Sequence, residues 1–290
     1  MEAFTYLAPR SLDEAFGALA NGKQSLLLAG GTDIIVQLRE GRRRCDQLID
    51  LKRIPELTGF RFTADGGLEI GAATPLAELY ESPEVRKRFP AIVDAATIIG
   101  GTAIQSRASL GGNLCNASPA ADSPPALIAL NATLVIAGPN GRRELPVAEF
   151  FAGPGRNTLQ PGEVLLQVNI PAPAPNSGAF YHRFIPRNEM DIAVASSGAN
   201  ITVDGSGNIT AARVAIGAVA ATPLLVPAAA SALIGKQASP EAFAAAGEAA
   251  ATAASPIDDM RGGIAQRRHL TKVLTVRALE GALPRIRESR

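Results

Sequence analysis

The sequence predicts an α+β chain of two domains, on three observations. A short apolar strand runs into Gly30-Gly31 and then into a helix-like segment. Alternating prolines, Pro171, Pro173 and Pro175, interrupt the chain past its middle. Beyond them strand-like segments come first and helix-like segments follow, the order of an antiparallel sheet covered on one side by helices.

Ser11 and Glu14 have capping-box spacing, and Leu12, Ala15, Phe16 and Leu19 share one face, so residues 11–21 read as a helix ended by Asn21-Gly22. Residues 26–29 read as a buried strand. Gly30-Gly31 then form a tight turn, and Thr32 or Asp33 caps the helix that begins at Ile34. The basic run Arg42-Arg43-Arg44 reads as a solvated turn, with attraction of an acidic partner as the other reading. Residues 48–51 and 68–70 are strand-like, with Asp65-Gly66-Gly67 as a hairpin turn ahead of the second. Thr74-Pro75 opens a helix, and residues 84–98 are helical with a kink or a fresh start at Pro90.

Residues 99–121 are rich in small side chains and lack periodicity, so they read as a long irregular segment, a type that is usually functional. Asp122-Ser123-Pro124 caps the next helix. Strands follow at 132–138 and 163–170, then the proline linker at 171–176, which favours extended backbone. In the second half, residues 180–185, 190–203 and 208–219 read as strands. Residues 225–234, 240–254 and 267–281 read as helices.

Bulk properties narrow the function. The chain has 290 residues, is 47% hydrophobic and carries a net charge of +1, as expected for a soluble globular protein without affinity for nucleic acid or membrane. Aromatic residues make up only 4%, too few for a base-stacking platform. No secretory signal and no 18-residue apolar run is recognised, so a cytoplasmic location without a membrane span is expected. Cys45 and Cys115 are too few for an iron–sulfur cluster or a four-cysteine zinc site, and both read as structural thiols, Cys115 beside the ligand. His182 and His269 stand apart, and no metal site is expected. Asp258-Asp259 read as a cap or an interdomain ion pair rather than an acid–base couple. No catalytic residue is assigned.

The remaining chemistry lies in the glycine pairs. A pyrophosphate needs backbone N–H groups that converge without Cβ obstruction, and Gly30, Gly31, Thr32 and Asp33 are placed to supply them at a helix start. A second pair, Gly111-Gly112, lies in one segment with Asn113, Ser118 and Asp122. G-x-G-x-x-G and the P-loop pattern are both missing, which disfavours a Rossmann site and a P-loop ATPase. The residues leave nucleotide or dinucleotide binding open, beside a nonenzymatic partner-binding subunit whose glycine pairs are only turns.

The two loops, together with FTYLAPRSLDEAFGALA, LIDLKRIPEL, LEIGAATPLAEL, EVLLQVNIP, YHRFIPRNEMDIAVAS and RGGIAQRRHLTKVLTVRAL, resemble the FAD-binding medium subunit of the molybdenum hydroxylases. This group includes xanthine dehydrogenase and aerobic carbon monoxide dehydrogenase, and the resemblance spans the whole chain. It implies an oxidoreductase subunit with a two-lobed FAD-binding domain of the vanillyl-alcohol-oxidase-like type at 1–175, with lobes 1–57 and 58–175. A C-terminal domain of sheet and helices at 176–290 follows. It implies partners: a large subunit with the molybdenum cofactor and a small subunit with two [2Fe–2S] clusters, assembled as a dimer of heterotrimers. Substrate would be hydroxylated in the large subunit and electrons would reach FAD here, for delivery to NAD, oxygen or another acceptor.

By the same resemblance Leu28, Ala29, Gly30, Gly31, Thr32, Asp33 and Ile34, with Ser109, Gly111, Gly112 and Asn113, hold the pyrophosphate and ribose. Asp122 anchors sugar or ribityl hydroxyls, and Ile99 and Leu165 lie against the flavin ring. Arg187 and Asp191 either shape the flavin's polar edge or simply pair with each other. Ile104-Gln105-Ser106 departs from the Ile-Arg-Asn common in the family, and Gln266 replaces a frequent tyrosine.

Overall fold

The structure is a computed structural model that describes residues 2–187 and 190–288. Strands Thr5–Leu7, Gln47–Asp50 and Ser25–Leu28 form a parallel three-stranded sheet in that spatial order. Parallel strands need crossovers, and the helices Leu12–Leu19 and Ile34–Arg39 lie in the connections. The Ser11 hydroxyl accepts the Glu14 N–H at 3.2 Å, and the Glu14 carboxylate accepts the N–H of Arg10 at 2.7 Å. The reciprocal cap read from the sequence therefore forms, reaching one residue further back.

A second sheet has five antiparallel strands in the order Phe60–Phe62, Leu68–Gly71, Val164–Ile170, Thr133–Gly138 and Gly141–Pro146. Its middle strand is the last of them in sequence. Alternate side chains, among them Ile70, Leu134, Ile136 and Val168, are fully buried in one core with Leu76, Leu79, Ile92 and Leu127 from the covering helices. Pro90 starts a new helix rather than bending one: Pro83–Arg88 ends and Pro90–Ala96 begins. Strand Gly141–Pro146 carries Arg142, Arg143 and Glu144 in succession, none of them fully buried, a polar edge strand that apolar patterning misses.

The segment 99–121 corrects the sequence expectation of an irregular loop. It contains the helices Thr102–Gln105 and Leu110–Asn116. Ser109 caps the second, its hydroxyl accepting the Gly112 N–H at 3.1 Å. The small residues that hide periodicity let this helix pack tightly.

The C-terminal half has a four-stranded antiparallel sheet, Ser177–Phe184, Ala195–Val203, Ile209–Gly217 and Leu224–Leu225. Helices Pro227–Leu233, Pro240–Ala253 and Ile264–Glu288 share its second core. The strand expected at 190–203 begins only at Ala195; residues 188 and 189 lie outside the described residues. The last helix runs past the expected 267–281 at both ends.

The expectation that helices cover one side of this sheet is incomplete. Its other face receives the helix Ser123–Ala129 from the first half. Gly198 permits this, since a Cβ there would lie 2.5 Å from the Pro125 carbonyl oxygen. A second tie joins the halves where the Arg285 guanidinium spans both Asp94 oxygens at 2.6 and 2.8 Å and lies 4.5 Å over the Phe180 ring. Among the described residues no helix is long and apolar enough to cross a membrane.

Candidate functional site

The first glycine loop leaves the parallel sheet at the C-terminal end of Ser25–Leu28. Leu28 itself turns away and packs on Leu38 and Leu48, so it buttresses the loop from behind and does not line the cleft. Gly31 has φ +82°, a left-handed conformation suited to glycine. The backbone N–H groups of Gly30, Gly31, Thr32 and Asp33 donate to no acceptor among the described residues. Unpaired N–H groups in succession at a turn form an anion-binding concavity. Asp33 precedes the helix Ile34–Arg39, but its side chain makes no capping hydrogen bond.

The second loop works differently from the first. The Gly111 N–H donates to the Ala72 carbonyl at 3.0 Å, and that of Gly112 is held by Ser109. Neither is free for a ligand. These glycines serve close approach: a Cβ on Gly111 would lie 2.4 Å from the Ala72 oxygen. Gly30 has the same task, because a Cβ there would lie 2.2 Å from the Arg107 carbonyl oxygen. The first loop therefore touches, backbone to backbone, the segment leading into the second, and Gly30 makes that contact possible, while Gly111 lets the second loop pack on Ala72.

Between the loops opens a cleft with about 1130 Å³ of unfilled space, partly continuous with solvent. It brings together Ala29, Gly30, Gly31, Thr32, Asp33 and Ile34 with Ser109, Gly111, Gly112 and Asn113, and with Ile99 and Leu165 on its apolar side. Asn113 Oδ1 accepts the Ser123 hydroxyl at 2.6 Å, which aims the amide, and its Nδ2 has no acceptor among the described residues. Gln105 is buried and donates to the Thr97 carbonyl at 2.8 Å and that of Ile99 at 3.3 Å, fixing the backbone that carries Ile99. Much of the Asp33 surface is exposed, yet the surrounding walls desolvate its carboxyl and push it up, with Arg42 pulling the other way.

Sequence reasoning missed several lining residues. Leu51, Leu57 and Val164 extend the apolar wall, and Gln37, Asn116 and Asn157 supply amides. The Gln37 Nε2 donates to Asn116 Oδ1 at 3.0 Å across 79 positions, a pairing no local pattern announces. Arg43, read as part of a solvated turn, borders the cleft mouth, while Arg42 and Arg44 pair on the surface with Glu40 and Glu2.

Asp122, Arg187 and Asp191 lie outside the cleft lining. Asp122 does not cap its helix. Its carboxylate accepts the Tyr181 hydroxyl at 2.7 Å and the Arg183 guanidinium at 2.6 Å, and it is buried between the halves of the chain. Burial pushes this carboxyl up to about 6, against the opposing pull of Arg183 and Tyr181. Arg187 pairs with Asp191 at 3.2 Å, with the arginine exposed. This is the mutual pairing that one of the sequence readings allowed. Asp259 pairs with Arg267 at 2.6 Å within the C-terminal half, so it is not an interdomain bridge.

Cys115 lines the cleft wall and is half-buried. Its desolvated surroundings push the thiol up to about 12, so it stays protonated. Alkylation of Cys115 by iodoacetamide at neutral pH is therefore expected to run about 100-fold or more slower than that of a free cysteine. Mass-spectrometric labelling kinetics on the native chain measure this, and labelling at the free-thiol rate contradicts it.

The comparisons agree with this geometry. Residues 2–173 match the family described as the FAD binding domain in molybdopterin dehydrogenase, and residues 180–282 match the CO dehydrogenase flavoprotein C-terminal domain. The chain is 34% identical to the carbon monoxide dehydrogenase medium chain of Hydrogenophaga pseudoflava, over 97% of this chain and 98% of that one. It is 35% identical to a putative xanthine dehydrogenase FAD-binding subunit of Escherichia coli, over 76% of this chain and 75% of that one. In structure it superposes on carbon monoxide dehydrogenase from Hydrogenophaga pseudoflava with a TM-score of 0.93, covering 98% of both chains at 34% identity. For quinoline 2-oxidoreductase from Pseudomonas putida the TM-score is 0.90, at 30% identity and 98% coverage of both. A strand-to-glycine loop with unspent N–H groups, set in a chain that matches from end to end, identifies the lineage: the chain belongs to the family of FAD-binding medium subunits of the molybdenum hydroxylases.

Proposed function

We propose that this chain is the FAD-binding electron-transfer subunit of a molybdenum-containing hydroxylase or dehydrogenase. The observation that carries the reading is the row of N–H groups from Gly30 to Asp33, unpaired among the described residues, on a loop that lines a cleft with an apolar wall. An anionic pyrophosphate fits the first feature and a flat ring system fits the second. Bound FAD supplies the exchange between single-electron and paired-electron transfer.

The chain's own residues bind and orient. The N–H groups of the first loop, with Thr32 and the free amide of Asn113, take the phosphate and ribose oxygens. Ile99, Leu165 and Val164 exclude water from the ring. Ser109, Gly111 and Gly112 shape the second wall by packing and capping. Asp122 acts from outside the cleft, by holding the C-terminal half against it. In the same reading the FAD-binding part ends near residue 175 and divides into lobes near residue 58.

The complex would add a large subunit with the molybdenum cofactor and a small subunit with two [2Fe–2S] clusters, paired as a dimer of heterotrimers in the cytoplasm. Electrons would arrive from the clusters and leave to NAD, oxygen or another acceptor. The decisive experiment is purification of the native complex, with visible and EPR spectra and an acceptor screen. Stoichiometric FAD released on denaturation and co-purification of both partners are expected. A chain that stays free of FAD after reconstitution overturns the reading. A chain that holds FAD and turns over substrate without partners makes it a stand-alone oxidoreductase.

A further inference from the structure

Beneath the first glycine loop, outside the cleft, lies a polar chain of side chains that the proposed function does not use. Tyr6 donates its hydroxyl to Asp50 Oδ2 at 2.6 Å. Asp50 Oδ1 accepts the Lys52 ammonium at 2.9 Å and the Lys52 backbone N–H at 3.0 Å. The ammonium reaches on to the carbonyl oxygen of Ala29. The Lys52 and Asp50 side chains are only 18% and 10% exposed. Burial pushes the Asp50 carboxyl up, but the hydrogen bonds from Tyr6 and Lys52 outweigh it and hold the group below the usual carboxylate range. The Asp50 carboxyl therefore stays ionised at neutral pH.

This arrangement has a consequence for the loop. In a trans peptide the C=O and the next N–H point in opposite directions. Capturing the Ala29 carbonyl from one side therefore turns the Gly30 N–H to the other. Lys52 is not part of the cleft lining, whereas Ala29 and Gly30 are. A glycine-rich backbone has little intrinsic preference between peptide orientations, so an outside group must choose one.

We infer that Lys52, held by Asp50 and Tyr6, is a positioning residue that fixes the Ala29–Gly30 peptide with its N–H toward the cleft and so sets the anion-binding loop for the cofactor pyrophosphate. This rests on the reading of the cleft as the FAD site. Lys52 touches no ligand. It contributes by removing the alternative peptide orientation, in which a carbonyl oxygen would face the phosphates.

The test uses the full chain stripped of FAD and titrated with FAD, by flavin fluorescence and by ³¹P NMR of the bound pyrophosphate. Lys52→Met is expected to weaken FAD binding about 10–100-fold, the range for losing one hydrogen bond to a charged group, and to shift the ³¹P resonances. Lys52→Arg, which keeps a cationic donor, restores most of the affinity. Thermal unfolding of the apo chain separates positioning from folding. Unchanged affinity in Lys52→Met, or weaker binding with ³¹P shifts identical to wild type, overturns the inference. If Lys52→Met does not fold, Lys52→Gln replaces it: its neutral amide donor predicts an intermediate loss, and wild-type affinity with wild-type shifts overturns the inference. A wild-type chain that binds no FAD refutes the cofactor reading instead, and the two failures are thereby distinguished.

Discussion

Gly30→Ala is expected to abolish practical FAD retention while leaving most of the fold in place. The new Cβ would sit 2.2 Å from the Arg107 oxygen and 2.9 Å from the Ala108 Cα, and both are backbone atoms that cannot rotate away. The loops must part, which costs about 1–3 kcal/mol of stability. The larger effect falls on binding. Several N–H groups leave their positions together, and each hydrogen bond to a charged phosphate oxygen is worth about 1.5–3 kcal/mol, so a loss of FAD affinity beyond about 100-fold follows. Gly31→Ala provides the contrast. It meets only side-chain carbons at 3.4 Å and bears the strain of φ +82°, a cost of about 1–2 kcal/mol. Equilibrium dialysis with FAD and urea unfolding of both variants measure the order. Equal retention by Gly30→Ala and wild type would falsify the account of loop contact.

Arg183→Met is expected to be the most destabilising single change in the interdomain contact. Arg183 and Asp122 are 7% and 9% exposed in their side chains, and the salt bridge is 2.6 Å long. Removing the arginine leaves a buried carboxylate with only the Tyr181 hydroxyl, and breaking a buried pair in this way costs about 3–5 kcal/mol. Replacing both partners, Asp122→Leu with Arg183→Met, is expected to recover much of that loss, since no charge is then stranded. Guanidinium unfolding of the single and double variants measures both terms. A single variant as stable as wild type would show that the pair does not hold the halves together.

These residues also show what was legible in the sequence. The first loop announces itself locally: an apolar strand, two glycines, a hydroxyl and an acid within nine positions from Ser25 to Asp33. Its chemistry is backbone chemistry, and glycine marks it. Ile99 and Leu165 carry no local signal and are named by resemblance alone, yet both line the cleft. Asp122 reads as a helix cap because Asp-Ser-Pro-Pro looks like a helix start, and as a ligand anchor only by resemblance. Its partners lie 59 and 61 positions away on a strand of the other domain. In sequence Gly111 and Gly112 look like copies of Gly30 and Gly31. Only the accounting of their N–H groups, spent on Ala72 and Ser109, separates packing from cradle. The helix Leu110–Asn116 stayed hidden because glycine, asparagine and cysteine carry no amphipathic signal. Long-range partners and the fate of backbone donors are the information that local patterns lack.

The place of strand Val164–Ile170 has a consequence for biosynthesis. It fills the middle of the five-stranded sheet, between Leu68–Gly71, made about a hundred residues earlier, and Thr133–Gly138, made about thirty residues earlier, and it carries Val164 and Leu165 of the cleft. Until it leaves the ribosome, Leu68–Gly71 and Thr133–Gly138 have no neighbour between them, and the glycine loop faces an absent wall. On the proposed reading of the cleft, a nascent chain carries its phosphate cradle long before it can keep a flavin. Cofactor loading must wait for the proline linker to emerge, which places it late in translation and after the slow, long-range closure of the sheet.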